Sequence, residues 1–521
     1  MGRAIGGEVE AIIGGDTGGG TGGGTGGDTG GDLAGVGGVM VTSGDDAGED
    51  AGEEARAGEL SDEQAGEQAG EQAGEEFSSA PRALIYPDQR VHSPITPEVA
   101  RALSDVRSVD PELSDTVFMK VGASSTVSRH TLACFAGDDY DLGARGDLTM
   151  TLEHFLSGDA AGDTPFDRET LAARVGHSAG WVIDGDPSPL LAEYNALQPR
   201  VALIHYGTND MGLGSSYASA MRPFYDNMTV LLDQLINRGV IPIITGITAR
   251  GDRASADLWV DSYNAALRGL AQRYKVPFID LWWATHTLEG LGLTSDGIHL
   301  NRASFGACDL TESGLEYGYN VRNLVVLESL DRLARTLELG ALPPLDVEGE
   351  LTDQGEPLYL DGDGSHLRPY EITSLPFSHS ADTGVEQSTP PLPGETGHIT
   401  QLTRDFNTYR CASMTDEGGA EVIYRLEVSE ELKMRAMVLD TGDTDIDIHL
   451  LSSLNSDEGE ATDCLARNHH MIEGRLSPGV YYIALDTWVD RDGDPKAGRY
   501  QFVLLACDER DAACDASLSS P

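Results

Sequence analysis

Three short stretches of this chain carry residue types that nucleophilic acyl transfer would use. In the first, an apolar run from Val117 to Val121, broken by Lys120, stops at Gly122 and leads into Ala123, Ser124, Ser125 and Thr126. A serine hydroxyl is a poor nucleophile until a base takes its proton. The third stretch, Ser295-Asp-Gly-Ile-His-Leu-Asn301, holds a candidate base, His299, three residues after Asp296. That spacing on a loop can set the carboxylate against Nδ1 and turn Nε2 toward a serine, Ser124 or its rival Ser125. Between them lies Val201-Ala-Leu-Ile-His-Tyr-Gly-Thr-Asn-Asp210, a strand-like run that ends in a turn carrying Asn209. A side-chain amide there can donate to an oxyanion. Together these groups would hydrolyse a carboxylic ester through an acyl-serine intermediate.

Such groups must be held at one edge of a sheet. Val117–Val121 reads as a buried strand, Gly122 supplies the tight turn, and a helix-like segment with Leu132, Ala133 and Phe135 follows. A strand, a small-residue turn and a helix lift a nucleophile to the carboxyl edge of an α/β fold. Leu171–Val175 reads as a second strand, Val201–His205 as a third, Val240–Thr245 as a fourth and Val276–Leu281 as a fifth. Helices are expected over Asn227–Asn237, with Met228, Leu231, Leu232, Leu235 and Ile236 on one face, over Asp257–Tyr274 and over Leu324–Leu337. Pro97–Leu103 reads as a short helix capped by Thr96. The alternation implies a parallel sheet covered on both faces, an α/β fold. The Asp- and Gly-rich insertion 137–166 reads as a loop outside the core that shapes the cleft. His205 reads as a satisfied core histidine; Trp181 and His177 are further cleft candidates.

In order and spacing the three stretches resemble the SGNH (GDSL-type) hydrolase family over residues 115–340. Its blocks read Gly-Asp-Ser after the first strand, a Gly after the second, Gly-x-Asn-Asp after the third, and Asp-x-x-His near the end. The resemblance implies a three-layer, flavodoxin-like domain with a five-stranded parallel sheet. The Gly-Asp-Ser-x-Thr pattern falls on Gly122, Ala123, Ser124, Ser125 and Thr126, which favours Ser124 as nucleophile. The triad would be Ser124, His299 and Asp296. The oxyanion hole would be the N–H groups of Ser124 and Gly180 with the Asn209 amide; Gly176 competes with Gly180. The chain departs from the pattern at Ala123, where the family carries Asp, which bears on efficiency more than on mechanism. The reaction needs no metal or organic cofactor. A short acyl group, such as acetyl on a glycan, is the expected substrate, because no extended apolar stretch suggests a lipid lid. A lipase- or phospholipase-like acyl hydrolase, and a catalytically inactive surface or glycan-binding protein, are the alternatives.

The other parts divide by composition. Residues 1–80 are Gly/Thr/Asp and Ala/Gly/Glu/Gln repeats, with too little apolar content to offset ordering entropy, and read as a disordered leader. The hydrolase region spans 81–340, and 341–400 reads as a Pro/Gly/Asp-rich linker. From 401 to 515 short alternating strands suggest a β-sandwich. Two segments there, Thr444–Leu450 and Ser477–Tyr482, resemble the bacterial pre-peptidase C-terminal domain. Asp490, Asp492 and Asp494 space carboxylates as Ca²⁺ loops do, without the distal Glu of an EF-hand; a solvated acidic turn is the other reading.

The chain has 521 residues and a formal net charge of -51, which argues against nucleic acid and anionic membranes as partners. No stretch is apolar for long enough to span a bilayer. Six cysteines, none in a Cys-x-x-Cys pair, suggest disulfides. Two fall in the hydrolase region and four beyond it, so Cys134 is expected to pair with Cys308, Cys411 with Cys464 and Cys507 with Cys514. These features point to a secreted or envelope-associated protein. The first ten residues lack the apolar core of a signal peptide, which suggests a true start upstream.

Overall fold

The computed structural model describes residues 83–347, 359–384 and 402–518. The leader expected over 1–80 lies outside the described residues, as do 348–358 and 385–400 of the expected linker. Ten α-helices are described: α1 (Pro97–Val109), α2 (Ser124–Val127), α3 (Thr149–Leu156), α4 (Ala179–Ile183), α5 (Pro189–Leu197), α6 (Tyr217–Ile236), α7 (Ala254–Asp257), α8 (Val260–Tyr274), α9 (Leu281–Thr285) and α10 (Gly318–Thr336). Among them run β1 (Ser114–Gly122), β2 (Pro199–His205), β3 (Ile241–Thr245) and β4 (Phe278–Ile279). These four strands form one parallel sheet in the order β1-β2-β3-β4. Val201–Ile204 and Ile241–Ile244 are apolar almost without alternation because helices cover both faces of a parallel sheet.

Several sequence expectations change here. The sheet has four strands, where five were expected. The run Leu171–Val175 makes a single bridge, Ala173 to Gly122, at the β1 edge. Leu171 and Val175 are 50% and 61% exposed, so the two largest apolar side chains of the run face away from the core, and only Ala172 is buried. The helix-like segment expected around Leu132, Ala133 and Phe135 is one 3-10 turn, Ala133–Ala136, set apart from the single turn of α2. Leu132 adopts a left-handed conformation (φ 65°), and its N–H donates to Asn323 of α10 at 3.1 Å instead of a helical carbonyl. The insertion 137–166 is not peripheral. It contains α3, and Leu148, Leu152, Phe155 and Phe166 are buried in the main core. Phe155 and Phe166 meet Phe118 of β1 edge to face at 5.6 and 5.1 Å. The helix capped by Thr96 forms as read but runs on to Val109, with the Thr96 hydroxyl accepting the Val99 N–H.

The C-terminal region holds β5 (Tyr370–Ile372), β6 (Phe377–Asp382), β7 (Thr408–Tyr409), β8 (Glu421–Val428), β9 (Leu432–Asp440), β10 (Ile446–Leu451), β11 (Ser456–Asp457), β12 (Glu460–Ala461), β13 (Cys464–Asn468), β14 (Met471–Leu476), β15 (Gly479–Thr487) and β16 (Arg499–Ala506). One sheet runs β13-β10-β15-β8-β5, another β14-β9-β16-β6. Strands β5 and β6 come from the stretch read as a linker. The disulfides Cys134–Cys308, Cys411–Cys464 and Cys507–Cys514 are those expected. No described helix is long and apolar enough to cross a membrane.

Successive strand residues face opposite sides, and β9 and β16 use both. Met434, Ala436, Val438, Phe502 and Leu504 join the core shared with the other C-terminal sheet. Met437, Leu439, Val503 and Leu505 join the core of the α/β region instead. Helix α8 lies between this second face and the parallel sheet, and nearly all its residues are buried. At Gly269 a Cβ would stand 2.2 Å from the Gln501 side chain, whose amide donates to Ala266 O at 3.0 Å. Arg435, fully buried, stacks 3.7 Å over the Trp259 ring and donates to Ser262 Oγ at 3.0 Å. Glu473 and Asp511 neutralise it at 2.6 and 2.7 Å. Arg435→Ala would strand those carboxylates and is expected to lower the unfolding free energy by about 3–5 kcal/mol. Denaturant titration of the full chain checks this; a loss under about 1 kcal/mol would mean that the contact stabilises nothing.

Candidate active site

The turn after β1 is built by close approach. At Gly122 a Cβ would lie 2.1 Å from Thr126 Oγ1 and 2.9 Å from His205 O, so only glycine lets α2 fold back against the sheet. Thr126 and Val127 donate their N–H groups to Ala123 O, both at 3.0 Å, which closes the turn. Ser124 and Ser125 occupy the first turn of α2, where N–H groups have no intrahelical acceptor.

Asp296 and His299 lie on a loop closed by a Leu293–Leu300 bridge and by Thr294 N–H to His299 O at 2.7 Å. Gly297 takes a left-handed conformation (φ 71°), and a Cβ there would stand 2.5 Å from Asp252 N. Asn301 fastens the loop to the start of α10, its Oδ1 accepting the Gly318 N–H at 2.8 Å. The Asp296 carboxylate is saturated. Oδ2 meets His299 Nδ1 at 2.8 Å, and Oδ1 accepts from Thr294 Oγ1 and the N–H groups of Ile298 and His299 at 2.7–3.0 Å. The His299 contact, then those N–H groups, hold its carboxyl well below the usual range. His299 Nε2 stands 2.9 Å from Ser124 Oγ. The three side chains singled out in the sequence thus meet in one line of hydrogen bonds. Ser125 makes no such contact; its carbonyl accepts from Thr131 Oγ1 at 2.5 Å and Arg322 Nη1 at 2.7 Å.

A narrow cavity of about 20 Å³ opens at Ser124, lined by Ala123, Ser125, Ile298 and the run His205–Asp210. Asn209 therefore lies at the serine. One of its two amide hydrogens donates to His177 O at 3.0 Å, and the other is left over. Asp210 is buried beneath it and accepts the N–H groups of Ala179 at 2.8 Å and Gly207 at 3.0 Å. Burial pushes its carboxyl up to about 6, against the pull of those donors. His205 departs from its expected place as a satisfied core residue. It lines the cavity, its Nε2 has no hydrogen-bond partner, and burial together with Arg322 holds it neutral. Gly180 is not among the lining residues; it packs in α4, where a Cβ would meet Asn227 Nδ2 at 2.9 Å. His177 and Trp181 pack edge to face at 4.9 Å and do not line the cavity either.

The acidic turn at 490–494 is organised by its own hydrogen bonds and by Lys496. Asp490 Oδ1 accepts the N–H groups of Asp492 and Asp494 at 2.9 and 3.0 Å, and Oδ2 meets Lys496 Nζ at 2.7 Å. Lys496 and those N–H groups hold the Asp490 carboxyl down at about 2. The carboxylates closest to metal geometry among the described residues lie elsewhere, in the His366–Asp405–Glu421 and Asp445–Asp447–His469 groups. Calcium at Asp490, Asp492 and Asp494 is therefore not supported.

Sequence reading missed a clamp that joins two of the site's loops. Arg250 donates to Thr208 O at 3.0 Å, beside Asn209, and grips Asp252 with both arms of its fork at 2.8 and 3.0 Å. The Asp252 N–H in turn donates to Gly297 O at 3.2 Å, inside the Asp296–His299 loop. Arg250-Gly-Asp252 begins five residues after the end of β3, which is the only signal the sequence offered. Arg250→Lys keeps the charge but loses the planar fork. It is expected to lower kcat about tenfold on a soluble ester, with little change in Tm, because small misplacements of reacting groups are costly. Paired kinetic and melting measurements check this.

Residues 157–304 match the sequence model of the GDSL-like Lipase/Acylhydrolase family. The matched segment holds Asn209, Asp296 and His299 and begins after Ser124. No curated protein matches the chain. Among solved structures, a GDSL-like lipase from Bacteroides thetaiotaomicron is 14% identical, with a TM-score of 0.26, covering 45% of this chain and 98% of its own. An acetylxylan esterase from Geobacillus stearothermophilus is 11% identical, with a TM-score of 0.27, covering 41% and 93%. A carbohydrate esterase family 3 protein from Talaromyces cellulolyticus is 16% identical, with a TM-score of 0.28, covering 41% and 97%. At such values these likenesses bear on neither mechanism nor substrate. The family match, on a segment that carries the loop of Asp296 and His299, places a GDSL-like lipase/acylhydrolase domain in the α/β half of the chain and makes the protein an ester-bond hydrolase.

Proposed function

We propose that the protein cleaves a short-chain carboxylic ester with Ser124 as nucleophile, His299 as general base and Asp296 as the group that orients the imidazole. The observation that carries this reading is the continuous contact from Asp296 Oδ2 through His299 to Ser124 Oγ, at 2.8 and 2.9 Å. His299 takes the Ser124 proton as Oγ attacks the acyl carbon. It returns that proton to the departing alkoxide, then activates water against the acyl-serine. The Ser124 N–H and the second Asn209 amide hydrogen serve as oxyanion donors, and Gly180 of the sequence-based trio is the least supported.

The cavity supports a small acyl group. At about 20 Å³ it is far smaller than pockets that hold large ligands, with room for little more than a water-sized group. So small an opening favours a short acyl group, such as acetyl on a glycan, over a long lipid chain. The three disulfides favour an oxidising compartment, consistent with a secreted or envelope-associated enzyme. The two C-terminal sheets with their shared core support a β-sandwich accessory region.

Fluorophosphonate labelling followed by peptide mapping tests the triad. Modification is expected at Ser124, with loss on Ser124→Ala and a fall of at least about 10³-fold in rate on His299→Ala. Labelling at Ser125 would move the nucleophile by one residue, and a folded protein that takes no label would end the hydrolytic reading of this site. On p-nitrophenyl esters, kcat/KM is expected to be highest for acetate and to fall as the chain lengthens; a maximum at eight carbons or more would favour a lipase.

A further inference from the structure

A buried arginine without a counter-ion lies behind the nucleophile turn. Arg322, in the second turn of α10, is 4% exposed. Its Nη1 donates to Ser125 O at 2.7 Å and to Thr131 Oγ1 at 2.8 Å, and its Nε is buried with no partner. The described chain has three other buried arginines, and each meets a carboxylate. Arg200 meets Asp115 at 2.8 Å, Arg268 meets Asp88 and Asp280, and Arg435 meets Glu473 and Asp511. Arg322 has no ion-pair partner among the described residues.

An uncompensated buried cation is costly, and among the described residues no carboxylate offsets this one. Burial alone drags its guanidinium down to about 10. The carbonyl it holds belongs to the residue next to Ser124. At the Gly122 turn are two other buried polar atoms without partners, Thr126 Oγ1 and His205 Nε2, and the Arg322 charge reaches His205. The chemistry itself supplies the missing negative charge. Attack by Ser124 turns a neutral acyl carbonyl into an oxyanion on the same turn.

Resting on the reading of Ser124 as nucleophile, we infer that Arg322 is a positioning residue for ester hydrolysis. It fixes the Ser124–Ser125 turn through the Ser125 carbonyl and holds a buried positive charge that the tetrahedral oxyanion complements. Asn323, its neighbour, secures the next part of the same loop. Its side-chain amide donates to His130 O and Ala307 O at 2.8 and 3.0 Å, beside the Cys134–Cys308 disulfide. Helix α10 therefore anchors the nucleophile loop at two consecutive residues, and only one of them is charged.

The test compares Arg322→Lys and Arg322→Met in the full chain. Three quantities are read: kcat and KM on p-nitrophenyl acetate, the inhibition constant of phenylboronic acid, which forms an anionic tetrahedral adduct on serine, and Tm. Arg322→Met is expected to lower kcat about 100-fold and to weaken the boronate at least about tenfold, with KM within about threefold. Arg322→Lys is expected to recover at least about tenfold of both losses. If Arg322→Met does not fold, Arg322→Gln replaces it, keeping a donor for Ser125 O without the charge, and the same losses are expected. Losses equal in the Lys and neutral variants, or a neutral variant with unchanged boronate affinity, would overturn the proposal. Fluorophosphonate labelling of the unsubstituted protein is run alongside. Absence of label at Ser124 overturns the triad, whereas label at Ser124 with an unaffected Arg322→Met overturns only the role of Arg322.

Discussion

The site depends on two parallel strands ending together. Strands β1 and β2 pair in register from Phe118 with Val201 to Gly122 with His205. A parallel ladder puts both carboxyl ends on one edge, so the turns that leave it stand side by side. One turn carries Ser124, the other Asn209. Had the register slipped by one residue, each strand would have presented its other face, and the close contact of Gly122 with His205 O would be gone. The loop of Asp296 and His299 arrives later and from farther away. It is brought into line by Asn301 at the start of α10 and by the Arg250–Asp252 clamp. The serine is thus placed by the sheet and the imidazole by loops tied to it.

Charge is handled differently at the surface and inside. The chain carries a formal charge of -51, yet several of its deepest polar side chains are arginines. Arg200 gathers Asp115 and four backbone carbonyls around a fully buried guanidinium where α1, β1 and β2 meet. Arg435 does similar work against α8. Each such cation converges several elements on one planar group with five donors, which a lysine could not do. In a chain this acidic, carboxylate partners are abundant, which makes Arg322, the buried guanidinium that meets none among the described residues, stand out.

The sequence revealed local and doubly buried features best. Asp296 and His299 lie three residues apart, so their contact is set within the short Thr294–His299 loop and could be read directly. Strands β2 and β3 were legible because burial on both faces leaves an unbroken apolar run. The contact of Ser124 with His299 spans 175 positions and needed the family's block order. Leu171–Val175 misled because an apolar run predicts a strand only where something covers it. The insertion 137–166 misled in the opposite sense, since Asp and Gly around α3 hid the buried Phe155 and Phe166. Arg250 and Arg322 were out of reach because a lone arginine in a loop or an amphipathic helix reads as solvent-facing. In β9 and β16 the near-continuous apolar pattern held a signal that simple alternation overlooked: a strand apolar on both faces has a second layer to meet.

That second layer changes how the C-terminal sheets can be used. Helix α8 belongs to two cores at once, with the parallel sheet on one side and the outer faces of β9 and β16 on the other. A module on a flexible tether samples many orientations relative to its neighbour; one that shares a helix with its neighbour does not. Any surface gripped by the C-terminal sheets would therefore see the Ser124 cavity from a fixed direction. Reach would be lost and aim gained, so such an enzyme would treat bonds at a set height and angle above whatever it holds.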